Sequence, residues 1–434
     1  MAILAVVLIM LFGASIAVLY LNQHVILEQR ISANQMRSTA AQEAAEAGLE
    51  WATGMLNSAS KIGTDCQPSV SGTASFRQKY FRVTPSAYVA SHILPGCKIN
   101  PATGVSTCHC PDAPASGTVV ATLGTDAMPG FTVQFSPVAG DPQAIRAVAT
   151  GCVAMAGTCE PRTRGMADAT ASISAVLKIV PTLRAAPATP LSCGLSCSIG
   201  GAFHIQNLEA ASGGLLINAG TTVSVSASAL TTLPGVPPQG TVVDNDSSLQ
   251  ALATSDPSCV NSGVFSAYFG SSVDEYLSSP LTKSITCSNP TQCGALLGAA
   301  YQEGWRAFYF PSGVELNSSA PFTQLGTATD GISMVSPGSI DINGDITIYG
   351  LLFMNNANVD YLGTGTANVY GAAITCGGFN SNGNGTLGYL PSALSSLRMS
   401  SSLMARVPSS WTDRCSVGLP LPDAANTAAS FNCD

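Results

Sequence analysis

Fourteen cysteines, four histidines and one run of alternating oxygen-bearing side chains are the residues of this 434-residue chain whose types and spacing invite chemistry. The histidines, His24, His92, His109 and His204, are scattered, and none sits in an H-E-x-x-H motif. His24 follows an apolar run, where an interfacial role fits better than a catalytic one. Cys108-His109-Cys110 has metal-binding residue types. Three adjacent ligands with no second Cys or His pair do not close a tetrahedral zinc site, so two half-cystines are the better reading. Asp341, Asn343 and Asp345 offer oxygens at calcium-like spacing but lack the distal glutamate of an EF-hand loop. A turn between strands explains the same residues, and calcium is the weaker reading. The sequence has no G-x-S-x-G elbow, P-loop or dinucleotide-binding glycine pattern. Neither an enzyme nor a cofactor is therefore expected. A glycosidase on a β-helix would need paired carboxylates on one face, which no spacing reveals.

The cysteines carry a stronger signal. An even count of fourteen allows up to seven disulfides and points to an oxidising compartment. Cys152 and Cys159 bracket a short turn between two strand-like runs and are the first expected pair. Cys193–Cys197 and Cys287–Cys293 are the next. Each bridge contributes roughly 2–4 kcal/mol, mainly by restricting the unfolded chain. With a net charge of −8 and only 17 basic residues, nucleic acid is not expected as the main partner. Charged residues make up 10% and apolar ones 46%, which excludes disorder by charge excess.

The elements that position these residues follow from hydrophobic periodicity. Met1 to Leu21 carries no charged side chain, and 21 helical residues span roughly 30 Å, the thickness of a bilayer's hydrocarbon core. No proline interrupts the chain from Asn22 to Asn57, so one helix over residues 1–57 is predicted, with any bend near Gly13 and Ser15. Ala41, Ala44, Ala45, Gly48, Leu49, Ala52 and Leu56 fall on one face of it, and Glu43, Glu46 and Glu50 on another. The missing basic n-region and the length of the apolar core argue against a cleaved secretory signal.

Residues 58–190 read as an antiparallel β head laid on that helix. In the run from Ala169 to Ile179, apolar Ala169, Ala171, Ile173, Ala175, Leu177 and Ile179 alternate with polar positions. Ala185–Pro190 is a short linker. Residues 191–434 read as a β-rich, solenoid-like accessory domain with a helical insertion at about 255–312 and a C-terminal tail at about 396–434. Ile346–Gly350 and Ala367–Gly371 repeat at an offset of 21 residues, as neighbouring rungs of a solenoid would; an antiparallel sandwich is the alternative. In the insertion, Phe265, Tyr268, Phe269 and Tyr276 form an expected aromatic core, and Ala295, Leu296, Ala299 and Tyr301 are the expected inner positions of a helix. The fold class is thus α+β.

The stretch LEQRISANQMRSTAAQEAAEAGLEWA (Leu27–Ala52), behind an apolar run beginning at residue 1, resembles the N-terminal segment of PilX-type type IV pilins. FSAYFGSSVDEY and VPSSWTDR resemble parts of the C-terminal extension of the large members, with Thr412 in place of a basic residue. The resemblance implies removal of a basic leader by prepilin peptidase and methylation of the new N-terminus, here Met1, although Met1 is equally consistent with an initiator. It implies residence in the bacterial inner membrane, then transfer by the pilus assembly machinery into an extracellular filament. Met1, Ala5, Leu8, Leu11 and Leu21 are its expected assembly residues, and other pilins its partners, as a homo- or hetero-oligomer. A host or surface ligand would be met by the displayed head. Ala5 departs from the glutamate found there in most major pilins, which favours a minor, tip-proximal or priming subunit. A major pilin, or a singly anchored surface adhesin, is the alternative.

Overall fold

The computed structural model describes residues 2–84, 87–90, 93–112, 119–121, 128–155, 159, 169–256, 259, 263–356, 358–361, 366–381, 383–413, 415–417 and 431–433. One unbroken helix, α1 (Ala2–Leu56), opens the chain and passes through Gly13 without interruption. Its small-residue stripe is the face that the head covers: Ala41, Ala44, Ala45, Leu49, Ala52 and Leu56 are at most 4% exposed. Small side chains let helix and sheet approach closely, and two glycines mark the closest points. A Cβ at Gly151 would lie 2.1 Å from the Ala41 carbonyl oxygen, and one at Gly48 would lie 2.8 Å from the Phe131 ring. At the end of α1 the buried Arg77 guanidinium donates to the Leu56 carbonyl through Nε at 3.1 Å and Nη2 at 2.7 Å. A cation there satisfies an orphan acceptor and complements the negative end of the helix dipole.

The head sheet contains β1 (Gly96–Ile99), β2 (Ser106–His109), β3 (Met128–Val138), β4 (Asp141–Met155) and β5 (Thr170–Val180). They pair antiparallel in the order β5-β4-β3-β1-β2. Ile173, Ala175, Leu177 and Ile179 of β5 are buried, as alternation predicts. Ser174, on the opposite phase, is buried as well, because Thr412 crosses it and the two backbones exchange hydrogen bonds of 2.8 and 3.0 Å.

The sixth strand of the sheet comes from much further along the chain. Leu403–Arg406 pairs antiparallel with β5, Leu403 opposite Val180 and Arg406 opposite Leu177. Asn57, just past α1, clasps this return strand: its Nδ2 donates to the Met404 carbonyl at 2.9 Å and its Oδ1 accepts from the Met404 amide at 2.7 Å. The accessory domain is therefore an insertion between two neighbouring strands of the head. The tail expected as part of 191–434 gives residues 403–412 back to the head, a long-range pairing that leaves no local signal.

The insertion is a stack of parallel strands in three sheets, wound in an order different from the sequence. Along the main sheet the strands run Thr282–Ser284, Ala307–Tyr309, Ile332–Ser336, Thr347–Met354, Thr366–Thr375 and then Leu191–Cys193, Ile217–Ala219 and Val242–Val243. The chain thus enters mid-stack, winds to one end, crosses back through helices and winds in again from the other end. The 21-residue repeat is the register itself, with Thr347 paired to Asn368, Tyr349 to Tyr370 and Gly350 to Gly371. Tyr349 and Tyr370 stack with centroids 5.3 Å apart. Gly350 (φ +142°) must be glycine, because a Cβ there would lie 1.8 Å from the Ile332 carbonyl oxygen on the rung below.

Beyond Gly350 and Gly371 both strands are buried on both faces and lose their alternation, reading LLFM and AAIT. The covering layer is helical: Phe265 and Phe269 stack on each other and meet both Phe353 and Tyr276 edge-on, with centroids of 5.2–5.7 Å for the edge-on pairs. The helix Pro290–Glu303 corrects an expectation. Ala295, Leu296 and Ala299 are exposed and Tyr301 half-buried, while Cys293, Gly294, Leu297, Gly298 and Ala300 face inward. Gly294 and Gly298 decide the face, since they lie against Ala320, Pro321 and Phe322, where larger side chains would collide.

Candidate assembly surface

Among the described residues, nothing packs against the first part of α1. Leu8 is 62% exposed, Leu11 62%, Phe12 67% and Leu21 63%. Burial begins only at Ala41. The helix contains one stretch long and apolar enough to cross a bilayer. Of the expected assembly residues, Leu8, Leu11 and Leu21 stand on this open surface. Met1 lies outside the described residues, and so does the Ala5 side chain. Ser15 does not break the run, because its hydroxyl is satisfied inside the helix by the Leu11 carbonyl at 2.8 Å.

Charge enters at one level. His24 Nδ1 approaches Glu28 Oε1 at 3.6 Å, one turn apart, and Arg30, Arg37, Glu43, Glu46 and Glu50 follow. Fifty-five helical residues make a rod of about 80 Å. Up to Leu21 it carries no charged side chain, and its last third is bonded into a domain. Such a rod needs either lipid or other helices around its free half.

No family model matches the chain, and no curated protein does. Among solved structures, the crystal structure of the competence-associated pilin ComZ from Thermus thermophilus is similar to it. That likeness extends over 87% of this chain and 97% of that one, at 13% identity and a TM-score of 0.22.

Other candidate chemistry resolves into structure. Cys108 and Cys110 are half-cystines, bonded to Cys97 and Cys66 respectively. Cys152–Cys159, Cys193–Cys197 and Cys287–Cys293 are disulfides, and so is Cys259–Cys376, which joins the helical layer to the stack. The long-range partners of Cys66 and Cys259 had no spacing that could reveal them. Asp341 and Asn343 occupy alternate positions of one strand, Ile340–Asn343, and are engaged locally. Asp341 Oδ2 accepts from Ser339 Oγ at 2.7 Å, and Asn343 Nδ2 donates to Glu315 Oε1 at 3.0 Å. Among the described residues no three His, Cys, Asp or Glu side chains gather to hold a metal ion. A cavity of about 170 Å³ between head and insertion is lined by Arg77, Arg306, Asp330, Ser75 and Ser401. There Arg306 and Asp330, both of the insertion, form a two-pronged ion pair at 2.9–3.0 Å.

Proposed function

We propose that this chain is a structural subunit of a type IV pilus or a closely related filament. In this reading it is held in the inner membrane by the free half of α1 and then polymerised through that same half. The observation that carries the reading is a single unbroken helix with an open apolar half and a half locked into an antiparallel head. A cleavable signal or a flexible tether needs no rigid continuity between membrane and domain; a polymerising helix does, because its register sets where each head lies. The inserted stack of parallel strands is then what the filament displays, offered to a host or surface ligand, and the chain acts without catalysis or cofactor. Its PilX-like stretch supports processing by prepilin peptidase and methylation of Met1. Ala5, in place of the usual glutamate, supports a minor, tip-proximal or priming position: a buried amine left without a carboxylate costs several kcal/mol, least harmful where no subunit lies above. Mechanical shearing of cells tests the filament reading. Subunits of a filament leave in assemblies that pellet together, whereas release only as single chains, or none, rejects it.

A further inference from the structure

The rungs of the insertion align their outward side chains as well as their core. Along the stack Thr347 pairs with Asn368, Asn368 with Thr386, and Thr386 with His204. Two residues further along each strand, Tyr349 pairs with Tyr370, Tyr370 with Gly388, and Gly388 with Gln206. Between the two rows lie Ile348, Val369, Leu387 and Ile205, at most 3% exposed. Alternation therefore turns both rows outward. His204 is exposed there, and all the others but Gly388 are half-buried. The Tyr370 ring leans over Gly388, where a Cβ would lie 2.8 Å from its Cδ1. Among the described residues no side-chain hydrogen bond engages Thr347, Asn368, Thr386, Gln206 or either tyrosine hydroxyl.

These two rows fit one kind of ligand. Neither holds Asp, Glu, Lys or Arg, in a chain of net charge −8, so the face matches an uncharged partner. Tyrosine rings give flat apolar contact at little entropic cost, and the amides and hydroxyls beside them both donate and accept. That combination suits a pyranose, which has C–H groups on its ring faces and hydroxyls around its edge. Each desolvated hydroxyl needs a partner. The rungs offer one about every 4.8 Å, close to the advance of one unit in an extended glycan. An extended peptide would instead add to a strand edge, whereas the backbone groups of this face are already paired across the stack. We propose that this face binds an extended, uncharged glycan along the stack, with a sugar ring against Tyr370, an inference that rests on the reading above of the insertion as the displayed part.

The test titrates the full chain, in a detergent without sugar headgroups, with cellohexaose, xylohexaose, N-acetylchitohexaose and the anionic hexagalacturonate, followed by calorimetry. At least one neutral hexasaccharide is expected to bind saturably, and more tightly than hexagalacturonate. Tyr370→Ala and Thr386→Arg are each expected to weaken it about tenfold or more, while Tyr370→Phe stays within about threefold. Thr386 points away from the core, so Thr386→Arg reads the face even if Tyr370→Ala disturbs the stack. No binding by any neutral hexasaccharide, preference for hexagalacturonate, or binding unmoved by Thr386→Arg overturns the proposal. Shearing reads the filament separately. Chains that pellet together without binding sugar overturn this proposal alone, and sugar binding by chains that never assemble overturns the filament reading alone.

Discussion

At the scale of single residues, two positions show how tightly this fold is specified. Gly151 lies where β4 passes under α1, and any side chain there meets helix backbone, which cannot rotate away as a side chain can. Gly151→Ala is expected to cost about 1–3 kcal/mol by overpacking, read as a lower thermal midpoint of the isolated head-and-insertion fragment. Tyr276 is the second. Burial pushes its phenol up to about 12, partly opposed by the hydrogen bond with Ser333. The raised value means that the unfolded chain ionises first, so stability is intact below pH ~10 and falls between about 10 and 12. Tyr276→Phe is expected to flatten that alkaline loss, measured as unfolding midpoint against pH, while losing about 1 kcal/mol at neutral pH from the unpaired Ser333 hydroxyl.

At the scale of elements, α1 and the return strand depend on one residue between them. Asn57 satisfies both backbone groups of Met404, so Asn57→Ala leaves a donor and an acceptor without it. The expected cost is about 1–3 kcal/mol, with hydrogen exchange rising first along 403–406 rather than through the sheet. The free half of α1 makes the opposite prediction, because nothing in the head depends on it. Deleting residues 1–28 is expected to yield a soluble, monomeric, disulfide-bonded fragment by light scattering and non-reducing mass mapping. Filaments from that fragment would show that assembly resides elsewhere.

At the scale of the whole molecule, the insertion hangs from adjacent strand ends, Val180 and Leu403, and is braced against the head. The Lys61 amide of the head donates to the Glu303 carbonyl of the insertion at 2.8 Å, and the two connecting segments are tied to each other by the Thr182 hydroxyl donating to the Ser401 carbonyl at 2.6 Å. Two such legs with lateral braces suit a domain displayed outward from a central helix bundle. If Ala5 marks a terminal subunit, an antibody against the insertion is expected to label one end of each filament in electron micrographs. Label along the whole length would reject the terminal position and support a filament built of this chain throughout.

What the sequence determined by itself was whatever depends on near neighbours along the chain. The length and open face of α1, the small-residue stripe from Ala41 to Leu56, the alternation of β5, and the 21-residue rung spacing all follow from local geometry with a fixed period. So do the bridges Cys152–Cys159, Cys193–Cys197 and Cys287–Cys293, whose loops are short. Tertiary structure alone decided the rest. The return of Leu403–Arg406 to β5, the stacking of Leu191–Cys193 beside Thr366–Thr375, and the bonds Cys66–Cys110 and Cys259–Cys376 join segments that share no period. The inward face of Pro290–Glu303 belongs with them: a partner at close range, Ala320 to Phe322, selected glycines over the more apolar face that periodicity favoured. Strand edges carry the same unpaired amides and carbonyls whichever strand will cover them, so which distant segment returns is set by the packing of the whole chain.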